Sequence, residues 1–600
     1  MSTTAVSPII AAKGGSFLIE SRNPADVFIP EDQTEEQRQM AATVAQFARD
    51  EILTRAADIE AKKPEVLAGL LRKAAELGFT AVDIPEEYGG LGMDKTTSTI
   101  ITDHMSVLAS FSTAFGAHIG IATLPLVWYG TEEQKKRYLP KIASAEWIGA
   151  YALSEATSGS DAMNIHTRAV LSADGATYTL NGEKMWITNG GIAGLYTVFA
   201  KVDGEKFSAF LIERDTPGLT VGAEEHKMGI RGSSTCPLVL QDCKIPAANL
   251  LGEAGKGHHI AFNVLNMGRL KLAVACIGGA RHALAHLVRY ARERKAFGRA
   301  IAEFGLIQRK IADSATRLYA AESMAYRTVG MIDASLAQLG NESNRSAREV
   351  QKLIEEYAVE CSILKVYGSE MMTLLADELV ATMGGYGYVE EYPAERLYRD
   401  ARINRIFEGT NEINRMIITG WLMKRAMAGE LPLLAAIKSL MDEVMQPPSF
   451  DSAEDAVEAL SREAGVLAAV KKIALFAAGV ASQRYMTALQ DQQEIMADLA
   501  DIISQVFALE SALLRARKLA ASAKSTAAAS MTSLLADESM ALAEQCARRV
   551  LAASAEGDEL RTQLAILRRL ARFVPQNAVE LSRSIAQQCI QAERYPLSIV

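Results

Sequence analysis

The spacing of apolar positions changes three times along the chain. From 36 to about 150, Met40, Val44, Phe47 and Ile52 recur at helical spacing, and so do Leu67, Leu70, Leu71, Ala74 and Leu77, which predicts an N-terminal helical domain. From 151 to 259 the spacing shortens to that of strands. Tyr196 to Val202, Ser208 to Ile212 and Leu238 to Leu240 are short β-branched or aromatic runs separated by Gly, Asp and Pro, as in a small β-domain that closes near Leu251. Within it, Tyr178-Thr179-Leu180 and Met185-Trp186-Ile187 flank Asn181-Gly182. That dipeptide suits the positive φ angles of a tight turn, so a β-hairpin is expected there.

From 260 to 428 the helical period returns, broken at 296–305, 340–344 and 384–393, and predicts a helical bundle. After Gly429, with Pro432 and Pro447-Pro448 as punctuation, residues 429–600 are Ala- and Leu-rich and charge-laced. They read as a C-terminal helical extension. Residues 1–35 contain Pro8, Gly14, Gly15, Pro24 and Pro30 with little periodicity and read as an extended arm rather than a core element. The expected class is mainly α with a central, β-barrel-like domain.

One stretch inside the bundle carries chemistry. In Arg402-Ile403-Asn404-Arg405-Ile406-Phe407-Glu408-Gly409-Thr410-Asn411-Glu412-Ile413, a carboxylate sits beside a glycine just before a helix begins. Thr410 is a suitable N-cap, and Ile413, Met416, Ile417 and Trp421 follow at amphipathic spacing, which places Glu408 on the entering loop. Ile406 and Phe407 would partly desolvate Glu408 and raise its pKa, as a general base near neutral pH requires.

Composition narrows the class. With 600 residues, 49% of them hydrophobic, the chain can bury several cores, and a formal net charge of −9 with interspersed signs gives no basic patch for nucleic acid. The cysteines, Cys236, Cys243, Cys276, Cys361, Cys546 and Cys589, lack close-paired spacing and fit free thiols in a reducing compartment. Nothing near Met1 has a signal- or transit-peptide pattern, so a bacterial cytoplasmic location is expected. The uncharged run Ile473 to Ser482 is too short to cross a bilayer, so no spanning helix is expected. Helices after Pro448, with Lys471, Lys472 and Arg484, are expected to pack as a bundle in preference to resting on a membrane surface.

Several separated stretches then coincide. Tyr151-Ala152-Leu153-Ser154-Glu155-Ala156-Thr157-Ser158-Gly159-Ser160-Asp161 is a hydroxyl-rich loop, and Trp186-Ile187-Thr188 runs into Asn189-Gly190-Gly191. Lys227-Met228-Gly229-Ile230-Arg231 and Gly252 to Gly257 follow, then Arg294-Lys295-Ala296-Phe297-Gly298, Met383-Gly384-Gly385-Tyr386-Gly387 and Phe407-Glu408-Gly409-Thr410-Asn411. In this order they resemble the acyl-CoA dehydrogenases, over about Glu36 to Arg425. The C-terminal extension, Phe304-Gly305-Leu306-Ile307-Gln308 and Glu322-Ser323-Met324-Ala325-Tyr326 look like the very-long-chain branch. Ala156 stands where proline is usual, and Ala381 where glutamine is.

The resemblance implies FAD as cofactor. Tyr151, Leu153, Ser154, Gly159 and Ser160 would form the flavin loop, with Trp186, Ile187 and Thr188 against the ring. Arg294, Phe297, Phe304 and Gln308 would serve the flavin of a neighbouring subunit, with Ala381, Gly384 and Gly385, while Thr410, Asn411 and Glu412 at a helix N-terminus would suit its pyrophosphate. Ser160, Asn266, Arg269 and Gly409 would contact an acyl-CoA, with Arg269 either an anchor for polar CoA groups or a structural helix-start charge. Glu408 would take the α-proton. The resemblance also implies fatty-acid β-oxidation, a homodimer, and electron-transferring flavoprotein as acceptor, with an acyl-CoA oxidase and a non-catalytic assembly protein as rivals. Acyl-chain length would depend on side chains near Ser106 to Gly116.

Three other patterns are set aside. His282 and His286 stand at i, i+4, but Ala283 replaces the glutamate of a zinc-protease motif, so a helix-surface position and no metal are expected. Gly252 to Gly257 fails the phosphate-loop spacing, and Gly384-Gly385-Tyr386-Gly387 fails the nicotinamide fingerprint.

Overall fold

The computed structural model describes residues 11–340, 346–444 and 459–599. Pro8, Pro447-Pro448 and the segment 341–344 of an expected break lie outside them.

The N-terminal domain is helical: α1 (Glu35–Phe47), α2 (Ala56–Glu60), α3 (Val66–Glu76), α4 (Lys95–Met105), α5 (Ala109–Ala117), α6 (Leu124–Tyr129) and α7 (Glu132–Ala143). A capping box starts α1, where the Thr34 hydroxyl accepts from Gln37 N at 3.2 Å and the Gln37 side chain accepts from Thr34 N at 3.1 Å, satisfying donors the first turn leaves free. The apolar stripes read from the sequence meet around Val44, Phe47, Leu70, Leu71 and Phe111.

An eight-stranded sheet follows: β1 (Ile148–Ala152), β2 (Arg168–Leu171), β3 (Thr177–Thr188), β4 (Ala193–Val202), β5 (Lys206–Glu213), β6 (Leu219–Val221), β7 (Thr235–Pro246) and β8 (Leu250–Leu251). Its order is β6-β7-β3-β2-β4-β5-β8, and β1 lies parallel to β4. Along β4, Tyr196, Val198, Ala200 and Val202 face Leu180, Leu238 and Ile245 within the folded sheet. The alternate positions Leu195 and Phe199 pack on Tyr138 and Leu139 of α7. This two-faced burial is why β4 and β5 read as near-continuous apolar runs.

The expected hairpin at Asn181-Gly182 is not there. Both flanks belong to the single strand β3, and the pairing with β7 shifts register between Leu180 and Gly182. The dipeptide forms a β-bulge: Gly182 has φ 154°, a Cβ there would lie 2.5 Å from Thr167 Oγ1, and the Asn181 carboxamide accepts from Asp242 N at 2.8 Å. Glycine is needed for close approach to Thr167 rather than for a turn.

The bundle comprises α8 (Gly257–Glu293), the two-stranded ribbon β9 (Lys295–Ala296) and β10 (Arg299–Ala300), α9 (Gly305–Gln338), α10 (Ala347–Glu356), α11 (Ala358–Met383), α12 (Gly385–Tyr388), α13 (Pro393–Ala401) and α14 (Asn411–Met427). The C-terminal extension adds α15 (Leu433–Val444), α16 (Ser461–Tyr485), α17 (Gln493–Lys518), α18 (Ser525–Ser554), α19 (Gly557–Leu570) and α20 (Ala578–Ala592). It shares one apolar core with the bundle. The mainly helical class with a central sheet therefore holds.

Three further expectations are corrected. The described part of the arm is a strap of three 3-10 turns with Phe17, Leu18, Val27, Phe28 and Ile29 buried. Phe17 lies 4.8 Å from Phe507 of α17, and Glu31 and Asp32 pair with Arg515 and Lys518 at 2.9 and 2.6 Å. Its apolar residues fill a seam between bundle and extension, a tertiary role without periodicity. His282 and His286 are half-buried rather than on the surface, with Nε2 atoms 3.1 Å apart, and burial and nearby arginines depress them to about 3 and 4. Finally, Ala109–Tyr129, Gly257–Glu293 and Ser461–Asp491 are each long and apolar enough to cross a membrane by length and composition. Counting only the uncharged run Ile473 to Ser482 underestimates the last, because its helix extends well beyond that run. In the first two, 78% of the apolar window is buried in the protein, against 50% in the third.

Candidate active site

Glu408 lies between a 3-10 turn (Arg402–Arg405) and α14. Glu408 and Gly409 both take left-handed angles, φ 57° and 79°. For a non-glycine residue this costs roughly 1–3 kcal/mol and persists only where the surroundings enforce it. The enforcing contacts are present. Thr410 Oγ1 accepts from Ile413 N at 3.2 Å, the expected N-cap. The buried Asn414 Nδ2 donates to the carbonyls of Glu408, Gly409 and Thr410 at 3.4, 2.9 and 3.0 Å. Arg269 Nε reaches the Glu408 carbonyl at 3.5 Å, while its NH1 donates to Asn266 at 2.8 Å.

The carboxyl points at α8. A Cβ on Gly268 would lie 2.6 Å from Glu408 Oε2, so that glycine makes the room. Oε2 is buried without a hydrogen-bond partner. Burial raises the carboxyl to about 7, against the pull of Arg269 and Lys365. The expected poise is present, but one expected cause is not: Ile406 is 47% exposed, and α8 supplies shielding that it does not.

Opposite stands the end of β3. Its pairing with β7 shifts again between Lys184 and Ile187, and Trp186 takes φ 57°. This second bulge turns the indole out, 56% exposed, while Ile187 stays in the sheet core. A large aromatic left open at a strained position is a platform for a planar ligand. The loop from Tyr151 is tied to the bulge by Met185 N donating to Ser154 O at 3.0 Å. Beneath it, Glu155 accepts from Lys184 Nζ at 2.7 Å, His166 N at 2.5 Å, and Thr167 N and Oγ1 at 3.0 and 2.5 Å. Burial alone would raise Glu155, yet Lys184 and these bonds hold it below the usual carboxylate range.

One cavity of about 380 Å³ joins the two sides. Glu408, Gly409 and Arg269 line it with Trp186, Ile187 and Thr188. Tyr151, Leu153, Ser154, Gly159 and Ser160 line it from the loop. Arg269 is not a helix-start charge: it is mid-helix and only 6% exposed, lines the cavity, and reaches the carbonyl of Glu408 in the loop of the base. Asn266 is buried as its partner. A second cavity, of about 540 Å³, brings Arg294 together with Gly384 and Gly385 beside Tyr290 and Tyr386.

The remaining predicted residues line neither cavity. Phe297 is 95% exposed at the tip of the β9-β10 ribbon, its ring 6.0 Å from Phe304. Gln308 donates to Ala302 O at 3.0 Å, and Ala381 is exposed. Glu412 is exposed in the first turn of α14. Asn411 is turned inward: its carboxamide accepts from Lys365 at 2.7 Å and donates to Glu370 at 3.0 Å, so its side chain is committed to the bundle rather than to an anion.

Sequence reasoning did not single out Gly268, Asn414 or Lys365. An isolated glycine in an otherwise helical pattern was the available signal for Gly268.

The site thus combines a shielded carboxyl, poised near neutrality, with an aromatic platform across a narrow cavity, an arrangement for removing a proton from a substrate held against a planar cofactor. Family models of acyl-CoA dehydrogenase match the N-terminal domain at 34–146, the middle domain at 150–243 and the C-terminal domain at 255–423 and again at 469–569. A probable acyl-CoA dehydrogenase of Bacillus subtilis is 47% identical over 586 residues, covering 97% of this chain and 98% of that one. The very long-chain specific mitochondrial enzyme of Rattus norvegicus is 36% identical over 67% of this chain and 60% of its own. A solved acyl-CoA dehydrogenase complexed with FAD, from Bacillus anthracis, superposes with a TM-score of 0.94 at 45% identity, covering 98% of this chain and 100% of that one. The chain belongs to the acyl-CoA dehydrogenase family. It is an FAD-dependent oxidoreductase of acyl-CoA thioesters, and the open Trp186 platform with its hydroxyl-rich loop fits the flavin.

Proposed function

We propose that the enzyme dehydrogenates long-chain saturated acyl-CoA thioesters to trans-2-enoyl-CoA in fatty-acid β-oxidation, as a homodimer that passes electrons to electron-transferring flavoprotein. The observation that carries the long-chain reading is the length of the cavity along α8. Phe262, 42% exposed, marks its mouth, Gly268 adjoins Glu408, and Leu272, Cys276 and Gly279 continue the same face inward. From Gly268 to Gly279 this face runs about 16 Å at 1.5 Å per residue, far more than a butyryl tail occupies. Ser106, Ser112 and Gly116 line the opposite side, in the region from which chain length was expected to be set.

Glu408 removes the α-proton. Its loop, fixed by Asn414 and Arg269, holds the carboxyl on the cavity wall beside Gly268, and shielding from water lets a base of this pKa act at neutral pH. A flavin held against Trp186 would supply the acceptor for the hydride leaving the β-carbon. The backbone N–H of Glu408 would donate to the thioester oxygen as charge builds there. In the dimer reading, Arg294 with Gly384 and Gly385, which line the second cavity, would meet the flavin of the second subunit.

Mixing enzyme anaerobically with saturated acyl-CoAs of rising length, and following loss of the oxidised flavin band, tests the substrate. Fastest bleaching by long chains is expected; a short-chain optimum contradicts the reading. Rapid reoxidation in air would favour the oxidase rival, and light scattering that gives a flavin-loaded monomer or tetramer would exclude the dimer.

A further inference from the structure

The far end of the cavity backs onto a buried chain of charges. Thr102 of α4, Ser106 at the C-cap just past its end, and Gly279 of α8 line that end. Between Thr102 and Ser106, Asp103 is buried and held by both terminal guanidinium nitrogens of Arg281, NH1 at 2.8 Å and NH2 at 3.1 Å. Tyr326 donates to the same carboxylate at 3.0 Å. Arg281 also donates to Glu322 Oε1 of α9 at 2.7 Å, and Glu322 Oε2 accepts from Arg515 of α17 at 2.7 Å and from Tyr595 at 3.2 Å. Arg515, itself fully buried, closes onto Glu31 of the strap at 3.0 and 2.9 Å. Charges alternate along the chain from Glu31 to Asp103. The α4 and α8 backbones touch at this point, since Gly278 has no room for a side chain beside the Asp103 carbonyl.

A shared carboxylate makes the links interdependent. Glu322 has both oxygens committed, so removing Arg515 leaves Glu322 undercompensated inside the protein, while the half-buried Glu31 keeps Lys524 at 3.5 Å, and Glu322 must draw on Arg281 or on water. Either response alters the clamp on Asp103, and α4 at that point is the wall itself.

The geometry points to the C-terminal extension as a determinant of acyl-chain selectivity, with Arg515 as a positioning residue that fixes the far wall of the cavity through Glu322 and Arg281. The inference rests on the long-chain reading, because only a tail that reaches Thr102 and Gly279 senses that wall. A loosened wall removes binding contacts that ground state and transition state share, so the cost falls on KM rather than kcat.

The test is a chain-length series of saturated acyl-CoAs on the flavin-loaded parent, Arg515→Met, Arg515→Lys and Tyr595→Phe. For Arg515→Met, KM for the longest substrates is expected to rise at least about fivefold, with kcat and the short-chain KM within about twofold of the parent. Arg515→Lys should recover part of the long-chain KM. If Arg515→Met does not fold, Tyr595→Phe, which removes one donor to Glu322, decides: a smaller rise confined to long chains supports the inference, and no length-dependent change overturns it. An equal loss at every length marks a merely structural role and also overturns it. A parent that rejects long chains refutes the long-chain reading. A parent that accepts them, with variants showing no length dependence, refutes this inference alone.

Discussion

Gly268→Ala separates positioning of the base from stability of the fold. The added Cβ would stand 2.6 Å from Glu408 Oε2 and 2.9 Å from its Cδ, where ordinary contact begins at 3.4 Å. The carboxyl must therefore retreat by about 0.8 Å, and it can, being the free end of a flexible side chain. A base misplaced by about 1 Å costs on the order of 10²-fold in rate, or about 2.7 kcal/mol of transition-state stabilisation. The same change in a helix interior favours folding by roughly 0.5–1 kcal/mol. The variant is thus expected to keep or raise its Tm while its anaerobic flavin bleaching slows about 10²-fold. Gly69→Ala and Gly465→Ala are controls, because a Cβ at either helical position meets nothing within 4 Å; they should bleach at the parental rate. Bleaching of Gly268→Ala at the parental rate would refute the placement of the carboxylate. A lost fold would refute the claim that only the carboxyl yields.

With Glu408 raised to about 7, the single-turnover rate should climb as pH rises through 7; a rate flat from pH 5 to 9 contradicts this. The same shift bears on stability: between pH 4.5 and 7 the folded state holds a proton that the unfolded chain, at the ordinary carboxyl value of 4.5, has released. Stability from this group is full below 4.5 and is lost as pH rises through 7. Glu408→Gln should therefore be more stable than the parent at pH 8, by up to about 3 kcal/mol, with the gap closing toward pH 4.5, as denaturant titration at several pH values will check. Lys184→Met strands the buried Glu155 carboxylate and should cost about 3–5 kcal/mol along with flavin retention, read by denaturation midpoint and bound flavin. Phe17→Ala should cost roughly 3–5 kcal/mol by emptying the seam between strap and extension; unchanged thermal unfolding would return the strap to the status of a loose arm.

What the sequence revealed depended on whether a signal was local. The Glu408 loop was legible because an N-cap threonine and an apolar helical stripe are neighbours in sequence, and β4 and β5 were legible because both of their faces are buried. Asn181-Gly182 misled because the same dipeptide serves a turn and a bulge, and only the distance to Thr167 distinguishes them. The strap misled because Phe17 meets its partner Phe507 across nearly the whole chain. Gly268 was silent because a glycine that makes room for a carboxylate 140 residues away leaves no periodic trace. The links from Arg515 to Asp103 join four helices, and no spacing within one helix encodes them.

Glu408→Gln tests the central claim most directly. The amide keeps the size and hydrogen bonding of the side chain, and the loop is held by Asn414, Arg269 and Thr410 through backbone atoms, so fold, flavin and acyl-CoA binding should persist. Proton abstraction should not. When the variant is mixed anaerobically with excess long-chain acyl-CoA, the oxidised flavin band should decay at least ~10⁴-fold more slowly than in the parent, with substrate binding still visible by titration. Bleaching near the parental rate would show that Glu408 is not the base and that another group carries the chemistry.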